Sequence, residues 1–289
     1  MSLAQSISPA AVRAARDRLA RGPAPFLWQE AARRMAERLP LLRLQPRLVL
    51  DMGCAWGDGL GLLRQHYPQA RLLGVEASAR LAEHARRGHV SGAWLRRLRG
   101  AAPPGGRGLA QLLWSNLALG WAGDPGQVFG AWSRLLMPDG VLMFTTFGPD
   151  TLRELRDDGA AALGVRPAAW VDMHDLGDLL VAQGLTAPVM DMELLRLRWA
   201  DADSALRELA QLGRAPHELA FPGLRTPRRW SRLRELLHER ARATAHGQVE
   251  LSFELVYGHA FKPATSRAEQ GVASIGLEQI GGRRRTQAG

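Results

Sequence analysis

The chain has 289 residues, of which 46% are hydrophobic and 23% are charged, and its formal net charge is +10. These values are typical of a globular protein with one large domain or two small ones. No apolar run reaches membrane-spanning length and the start of the sequence lacks the pattern of a secretory signal, so we expect a cytoplasmic protein with no membrane segment. The single cysteine, Cys54, excludes an internal disulfide and a cysteine-based zinc site.

The positive charge favours an acidic partner, and it leaves nucleic acid, an acidic carrier protein and anionic metabolites open. Nucleic acid is disfavoured, because the basic residues form no stripe interleaved with aromatic residues and the sequence has no zinc-finger pattern. The composition does not indicate the oligomeric state.

The first predicted helix covers residues 26–42, where apolar side chains recur at helical spacing. From residue 47 onwards, short apolar runs bounded by turn residues alternate with helix-like segments. The predicted strands lie at 47–53, 70–78, 93–99, 109–119, 141–148, 188–199 and 249–261. The predicted helices between them lie at 61–67, 79–88, 126–137, 171–184, 202–213 and 228–242.

Strands that alternate with helices predict an α/β fold with a mostly parallel, seven-stranded sheet and helices on both faces. The two long strands near the C-terminal end of the chain suggest an antiparallel pair at one edge, with a helical insertion before the last strand. We assign residues 1–263 to one domain, with a helical lid or insertion at about 200–248, and residues 264–289 to a flexible basic tail.

The end of the first predicted strand, LVLDMGCAWGDGLG at residues 48–61, contains four glycines. Bare backbone lets a ligand approach closely, and the start of the following helix offers free N–H groups. In a doubly wound sheet, ligands bind beyond the carboxyl ends of the strands. A tight turn without a ligand is the alternative interpretation, and four glycines in nine residues disfavour it.

Two cofactors suit such a loop, and the glycine spacing discriminates between them. A dinucleotide favours G-x-G-x-x-G, which fails because Ala55 occupies the third position. S-adenosylmethionine favours D-x-G-x-G-x-G, which Asp51, Gly53, Ala55 and Gly57 match with one substitution. Glu76 ends the second predicted strand, where an acid can accept hydrogen bonds from ribose hydroxyls; a solvated helix cap is the alternative.

Several stretches beyond this loop carry a family resemblance, from about residue 47 to 263. They are SNLALGW (115–121), FTTFGPDTLRELR (144–156), WVDMHDLGDLLVAQGLTAPVMDME (170–193), LRELAQLG (206–213) and FELVYGHAF (253–261). The chain resembles the class I methyltransferases, and more narrowly the malonyl-acyl-carrier-protein O-methyltransferases of biotin synthesis. The resemblance implies a Rossmann-like fold, S-adenosyl-L-methionine as the cofactor and an acidic acyl carrier protein as the partner.

The chain departs from the family pattern at several points. Ala55 replaces a glycine, and Trp56 replaces a small polar residue. No tyrosine precedes the first strand, although the family carries tyrosines close to the cofactor there. The acid that usually follows the third strand has no clear counterpart in RRLRGAAPPGGRG at 96–108. Two alternatives therefore stay open: a methyltransferase with another small acceptor, and a non-catalytic member that acts by binding a protein.

The reaction that the resemblance implies transfers a methyl group to the free carboxylate of a carrier-bound malonyl group. A carboxylate is ionised at neutral pH, so it needs alignment and a cation that selects it rather than a general base. Arginine suits this role because its guanidinium binds a carboxylate through two hydrogen bonds. The segment after the sixth predicted strand offers Arg207 and Arg214; the alternative for both is a solvated helix face.

Three further positions have both a functional and a structural interpretation. Asn116 follows the fourth predicted strand and could bind the cofactor or cap the strand, and Trp121 could wall the acceptor pocket or belong to the core. A catalytic dyad of His174 and Asp175 is less favoured than a helix start capped by Asp172.

The Arg-rich segment RTPRRWSRLRELLHERAR at 225–242 is the candidate docking face for an acidic carrier, with a solvated helix face as the alternative. A dinucleotide oxidoreductase is the remaining functional hypothesis, and the glycine spacing disfavours it. We therefore predict an enzyme, an S-adenosylmethionine-dependent O-methyltransferase.

Overall fold

The computed structural model of the chain describes residues 9–89, 108–121, 123–155, 170–212, 227–244 and 246–264. The predicted third strand at 93–99, nearly all of the basic tail from 264 onwards, and Arg214 lie outside these residues. Within them, no helix is long and apolar enough to cross a membrane.

The elements follow the predicted alternation of helices and strands. The helices are α1 (Pro9–Leu19), α2 (Phe26–Ala36), α3 (Asp58–His66), α4 (Ala79–His89), α5 (Pro125–Leu135), α6 (Met173–Ala182), α7 (Ala202–Leu212) and α8 (Pro227–Ala243). The strands are β1 (Leu48–Met52), β2 (Arg71–Val75), β3 (Ala110–Ser115), β4 (Leu136–Phe147), β5 (Thr186–Trp199) and β6 (Val249–Phe261). Single turns of 3-10 helix lie at Leu39–Leu41 and Leu119–Trp121.

The described strands form one sheet in the order β2-β1-β3-β4-β6-β5. β1 to β4 are parallel, whereas β6 runs antiparallel to β4 on one side and to β5 on the other. The mostly parallel α/β sheet with an antiparallel pair at its edge is confirmed. The described sheet has six strands rather than the predicted seven, because the predicted third strand falls in residues that the structure does not describe.

β5 and β6 extend past the carboxyl ends of the parallel strands. Phe147, the last residue of β4, pairs with Leu255, so residues 249–254 of β6 continue beyond it and pair with residues 194–199 of β5. At roughly 3.3 Å per residue this two-stranded ribbon adds about 20 Å. α7 and α8, which form the predicted helical insertion, contact the ribbon. The insertion therefore stands on the side of the sheet where ligands bind in such folds.

Helices cover both faces of the sheet, which explains the nearly continuous apolar runs of β1 and β3. On one face α2, α3, α7 and α8 join a single cluster with the strands, and Leu27, Leu63 and Leu237 are fully buried in it. On the other face α5 and α6 pack against the strands through Phe129 and Leu180. Each fully buried side chain of this size stabilises the fold by roughly 1.5–3 kcal/mol.

Aspartates fix the start of the two helices on this second face. The Asp124 carboxylate accepts a hydrogen bond from the Gly126 N–H (2.9 Å) before α5, and Asp172 accepts one from the His174 N–H (2.8 Å) before α6. The His174 side chain is exposed and lies beside the same Asp172 oxygen. The interpretation of Asp172 as a helix cap is confirmed, and its hydrogen bonds to His174 hold the pKa of Asp172 below its usual range.

Candidate active site

The carboxyl ends of β1, β2 and β3 meet at one edge of the sheet. The chain passes from β1 to β2 on one side and then to β3 on the other side of β1, so the strand order reverses between β1 and β3. This reversal is the position where doubly wound sheets open a crevice for a ligand. The glycine loop, Glu76 and Asn116 all follow strands that end at this crevice.

Backbone conformation explains why two positions of the loop, Gly53 and Gly57, are occupied by glycine. Gly53 and Gly57 have φ values of 78° and 94°, which side chains rarely adopt. A Cβ atom on Gly53 would lie 2.4 Å from the Ala118 Cβ, and one on Gly57 would lie 2.9 Å from the Ala85 Cα. Gly57 is also the N-cap of α3, so the loop presents backbone rather than side chains at a helix start.

Asp51, in β1, is a buried carboxylate that no group in the described part of the chain satisfies. It is 1% exposed, and neither of its side-chain oxygens has a hydrogen-bond partner there. A Cβ atom on Gly59 would lie 2.9 Å from Asp51 Oδ2, so bare backbone borders the carboxylate. Burial, followed by the negative charge of Glu76, raises the pKa of Asp51 well above its usual range. Such a group suits a ligand that brings hydrogen-bond donors and positive charge.

Glu76, which follows β2, is also buried, but its carboxylate is fully hydrogen-bonded. Oε1 accepts from Arg16 Nε (2.7 Å) and the Ser78 N–H (2.9 Å), and Oε2 accepts from Arg16 Nη2 (2.5 Å) and the Ala55 N–H (3.0 Å). The acid that was predicted to bind ribose hydroxyls is thus paired with an arginine of α1 in this structure.

Arg16 is 3% exposed and lies inside the crevice. Its guanidinium carbon lies 5.8 Å from the Trp28 ring centroid and 5.2 Å from the Trp121 ring centroid. Nη2 of Arg16 lies 4.0 Å from where a Cβ on Gly53 would stand. Arg16 therefore occupies the space between the glycine loop and two aromatic walls.

Three hydrogen bonds hold the chain around α1 against the crevice. Ser78 Oγ donates to Asp17 Oδ1 (2.5 Å), and Trp56 Nε1 donates to the carbonyl oxygen of Gly22 (3.1 Å). His84 Nε2 lies 2.9 Å from the carbonyl oxygen of Ala20. Trp56, the bulky departure from the family pattern, thus anchors the segment that carries Arg16.

Asn116 joins three segments at the end of β3. Its Nδ2 donates to the carbonyl oxygen of Trp28 (2.9 Å), and its Oδ1 accepts from Thr145 Oγ1 (2.8 Å). The next residue, Leu117, has φ 50° and donates its N–H to Thr145 Oγ1 (3.0 Å). This network fixes the wall of the crevice, so the structural role of Asn116 is established, while a direct contact with the cofactor stays a prediction.

Trp121 is partly exposed, beside Arg16, and walls the crevice at its outer side. The neighbouring wall consists of Phe147 and Trp170, whose rings lie 5.2 Å apart. Gly120 makes this packing possible, because a Cβ there would lie 2.6 Å from the Trp170 ring. The predicted pocket residue therefore lies in an aromatic surface at the mouth of the site.

Of the two cations predicted on the helical insertion, the structure describes only Arg207. Arg207 is exposed on α7, and its Nη2 donates to Ser204 Oγ (2.9 Å) on the same helix. Arg214 lies outside the described residues. Cys54 is a small side chain buried in the loop, and burial raises the pKa of its thiol.

Ala55 adopts the left-handed conformation, with φ 49°, at the position where the family has glycine. For an L-residue this conformation costs about 1–2 kcal/mol, partly offset by the freedom that glycine gains in the unfolded chain. We expect Ala55→Gly to keep or raise the free energy of unfolding and to bind cofactor as tightly or more tightly, measured by urea denaturation and calorimetry.

Ala187→Gly is the matched control, because Ala187 has φ 48° and is exposed at the start of β5, remote from the crevice. It should reproduce the change in stability without a change in cofactor affinity. A clear loss of affinity in a stable Ala55→Gly variant would show that the Ala55 methyl group is a fitted contact.

The site fits S-adenosylmethionine on its own geometry. Asp51 offers two unsatisfied carboxylate oxygens for donors of a cationic amino acid moiety. Glu76 is the strand-end acid for ribose hydroxyls, and in this structure Arg16 occupies two of its acceptor positions. Gly53 and Gly57 keep the loop between these acids free of side chains. The acid that the family pattern places near adenine has no clear counterpart at 96–108, a stretch that lies almost wholly outside the described residues.

Comparisons with known proteins agree with this site. The family model described as "Methyltransferase domain" matches residues 27–188, which include Asp51 and Glu76 but not Arg16. The fold is similar to the YcgJ protein of Bacillus subtilis (TM-score 0.57, 14% identity, 81% of this chain and 98% of that chain). It is also similar to a putative methyltransferase of Bacillus halodurans (TM-score 0.54, 14% identity, 79% and 98%). Fold, loop and family match define an S-adenosylmethionine-dependent methyltransferase.

Relatives with curated names identify the particular methyltransferase family. The malonyl-[acyl-carrier protein] O-methyltransferase of Laribacter hongkongensis is 38% identical over 88% of this chain and 89% of its own length. The protein of the same name from Gallionella capsiferriformans is 35% identical over 93% and 96%, and that from Halorhodospira halophila 35% identical over 98% and 98%. The chain belongs to the malonyl-[acyl-carrier protein] O-methyltransferase family.

Sequence reasoning missed Arg16 and Trp28. Both belong to helices that pack over the crevice, yet nothing in PAAVRAARDRL distinguishes the buried Arg16 from the exposed Arg13 and Arg18. The only available signal was the helical spacing of α1, which indicates a helix but not what it covers.

Proposed function

We propose that the protein methylates the free carboxylate of a malonyl group carried on acyl carrier protein, in the cytoplasm, as a step of biotin synthesis. The observation that carries the proposal is the buried, unsatisfied carboxylate of Asp51 beside the glycine loop, in a chain whose relatives bear this enzyme name. The identity of the acceptor is inferred from the names of the relatives and from the family resemblance.

The cofactor supplies a methyl group on a sulfonium, which is transferred to an oxygen of the acceptor. In our proposal Asp51 and Glu76 hold its amino acid and ribose parts, the backbone at Gly53, Ala55 and Gly57 lies against it, and Asn116 borders it. Trp121 walls the acceptor side. Because the acceptor carboxylate is already ionised, the protein has to orient two bound groups and exclude water rather than move a proton.

A cation that receives the acceptor carboxylate completes the proposal. The sequence leaves this role to Arg207 on α7 or to Arg214, two residues after the end of α7 in the sequence. α7 stands on the side of the sheet where the crevice opens, which keeps Arg207 within the region that an acceptor passes.

Calorimetry with S-adenosylhomocysteine, the demethylated cofactor, followed by transfer of a labelled methyl group to malonyl-acyl carrier protein, tests the proposal. We expect one binding site and label in an ester that alkaline hydrolysis releases. Acetyl-acyl carrier protein, which has no free carboxylate, is the matched control and should take up no label. Cofactor binding without label on the malonyl carrier would reject the acceptor, and no cofactor binding would favour a member that acts by binding a protein.

We predict that α8 steers the carrier by charge. The helix has six arginines and two glutamates, and Leu237 and Ala241 dock it beside the ribbon of β5 and β6. We expect Arg228→Glu/Arg229→Glu to lower kcat/KM for the malonyl carrier at 0.1 M salt and to flatten its salt dependence up to 1 M. The reason is that the Debye length falls from about 10 Å to about 3 Å over this range.

Two controls separate docking from a general charge effect. Arg86→Glu/Arg87→Glu on α4 makes the same change in net charge on another exposed surface and should leave the salt dependence unchanged. A small malonyl thioester without the carrier should react equally with all three proteins. If the α8 variant keeps the wild-type salt slope, the helix face is merely solvated.

A further inference from the structure

We propose that Arg16 is exchanged between two carboxylates: it holds Glu76 while the cofactor is absent, and cofactor binding releases it to receive the carboxylate of the acceptor. This inference rests on the proposed function, since it assumes an anionic acceptor. It assigns the selecting cation to α1 instead of α7, and it makes acceptor binding depend on the cofactor.

The hydrogen-bond count at Glu76 requires an exchange. A carboxylate accepts about four hydrogen bonds, and all four positions of Glu76 are in use. Two of the donors are the backbone N–H groups of Ala55 and Ser78, which belong to the frame of the site. Ribose hydroxyls can therefore bind Glu76 only where the guanidinium of Arg16 now stands.

The released guanidinium stays within the crevice because its surroundings already accommodate a cation. Trp28 and Trp121 face it at 5.8 Å and 5.2 Å, distances at which aromatic rings attract a positive charge. Trp28 Nε1, at the same wall, has no hydrogen-bond partner in the described structure. An acceptor carboxylate beside Arg16 would find a bidentate cation and a second unused donor.

The charges in the crevice explain why it selects an anionic acceptor and why the acceptor binds after the cofactor. Among side chains that the structure describes, Arg16 is the only buried arginine or lysine. While Arg16 is paired with Glu76, the crevice offers an anion no uncompensated positive charge among the described residues. Once the ribose satisfies Glu76, the guanidinium is the buried cation in the described part of the crevice that attracts a carboxylate.

The test compares Arg16→Met with the matched variant Arg18→Met. Arg18→Met removes the same charge from an exposed residue of the same helix. Calorimetry gives the affinity for S-adenosylhomocysteine, and initial rates with malonyl-acyl carrier protein give KM and kcat. Calorimetry also gives the affinity for malonyl-pantetheine with and without S-adenosylhomocysteine, which has no methyl group to transfer.

Wild-type protein should bind malonyl-pantetheine only when S-adenosylhomocysteine is present. Arg16→Met should bind S-adenosylhomocysteine at least about threefold more tightly, because the internal competitor for Glu76 is gone. Its KM for the malonyl carrier should rise roughly 10- to 150-fold, the change expected for one lost charged hydrogen bond, with kcat less affected. Arg16→Lys should recover part of the KM, and Arg18→Met should match wild type.

Three results would overturn the exchange: an unchanged KM in Arg16→Met, weaker binding of S-adenosylhomocysteine by that variant, or equal binding of malonyl-pantetheine with and without the cofactor product. If circular dichroism shows that Arg16→Met is unfolded, Arg16→Gln, which keeps one donor for Glu76, replaces it, with the same expected rise in KM and a smaller gain in affinity for S-adenosylhomocysteine. Failure of the proposed function looks different: wild type would bind S-adenosylhomocysteine but methylate no malonyl carrier. In that case, the affinity of Arg16→Met for S-adenosylhomocysteine still decides whether Arg16 competes at Glu76.

Discussion

Glu76→Ala is expected to lower the free energy of unfolding by about 3–5 kcal/mol, the usual cost of removing one partner from a buried ion pair. The variant leaves the guanidinium of Arg16 buried without its partner, and it deprives the N–H groups of Ala55 and Ser78 of their acceptor. It should also weaken cofactor binding by about 1.5–3 kcal/mol, because the ribose hydroxyls lose a charged acceptor. Urea denaturation and calorimetry with S-adenosylhomocysteine measure the two effects separately.

The double variant Arg16→Met/Glu76→Gln is the control for the predicted loss in the free energy of unfolding. Because both charges are removed together, it should lose clearly less stability than the sum of the single variants Arg16→Met and Glu76→Gln. The coupling should appear only in this pair and not between Glu76→Gln and Arg18→Met. Additive losses in the first pair would mean that the ion pair contributes no more than two separate side chains. Unchanged cofactor affinity in a folded Glu76→Gln variant would remove this residue from the cofactor site.

The sheet and the positions of its two strand-end acids were predictable from the sequence. Parallel strands of an α/β fold are buried on both faces and read as short apolar runs, and their carboxyl ends share one edge. Asp51 and Glu76 could therefore be placed near each other from their positions relative to two such runs. The left-handed turns at Gly53 and Gly57 are likewise local, so the glycine pattern predicts them.

The contents of the crevice were not predictable, because they depend on contacts between residues far apart in the chain. Arg16 is 60 residues from Glu76, and Trp28 is 88 residues from Asn116, whose amide it satisfies. Neither contact is indicated by a periodic pattern or a characteristic residue spacing in the sequence. Arginine usually lies at the protein surface, so the residue type alone predicts an exposed position for Arg16 rather than a buried one.

Asp51→Asn is expected to change stability and cofactor affinity in opposite directions. The native carboxylate is buried with both oxygens unsatisfied, so replacing it by a neutral amide of the same shape should raise the free energy of unfolding by about 1 kcal/mol or more. The same replacement removes the charged acceptor for the cofactor and should lower the affinity for S-adenosylhomocysteine by roughly 10- to 150-fold. A loss of affinity with a gain in stability distinguishes a binding group from a structural one.

The pH dependence gives this prediction a second readout. Burial raises the pKa of Asp51, so in the cofactor-free protein its ionised form costs stability at neutral pH, and stability returns as the pH falls through the raised pKa. The advantage of Asp51→Asn should therefore shrink on acidification. Cofactor affinity should show the reverse trend, because a cationic ligand favours the ionised carboxylate: wild-type affinity falls on acidification, whereas Asp51→Asn affinity does not.

Asp58→Asn is the matched control, since it removes a negative charge at the start of α3, close enough to influence Asp51, while leaving the Asp51 carboxylate in place. It should lower the pKa of Asp51 slightly and keep most of the cofactor affinity. If Asp51→Asn instead destabilises the protein and binds cofactor as wild type does, the carboxylate stabilises the fold and is not a ligand. Parallel pH profiles of wild type and Asp51→Asn would show that the carboxylate does not titrate with cofactor binding, and the amino acid part of the cofactor would then have to be held elsewhere in the crevice.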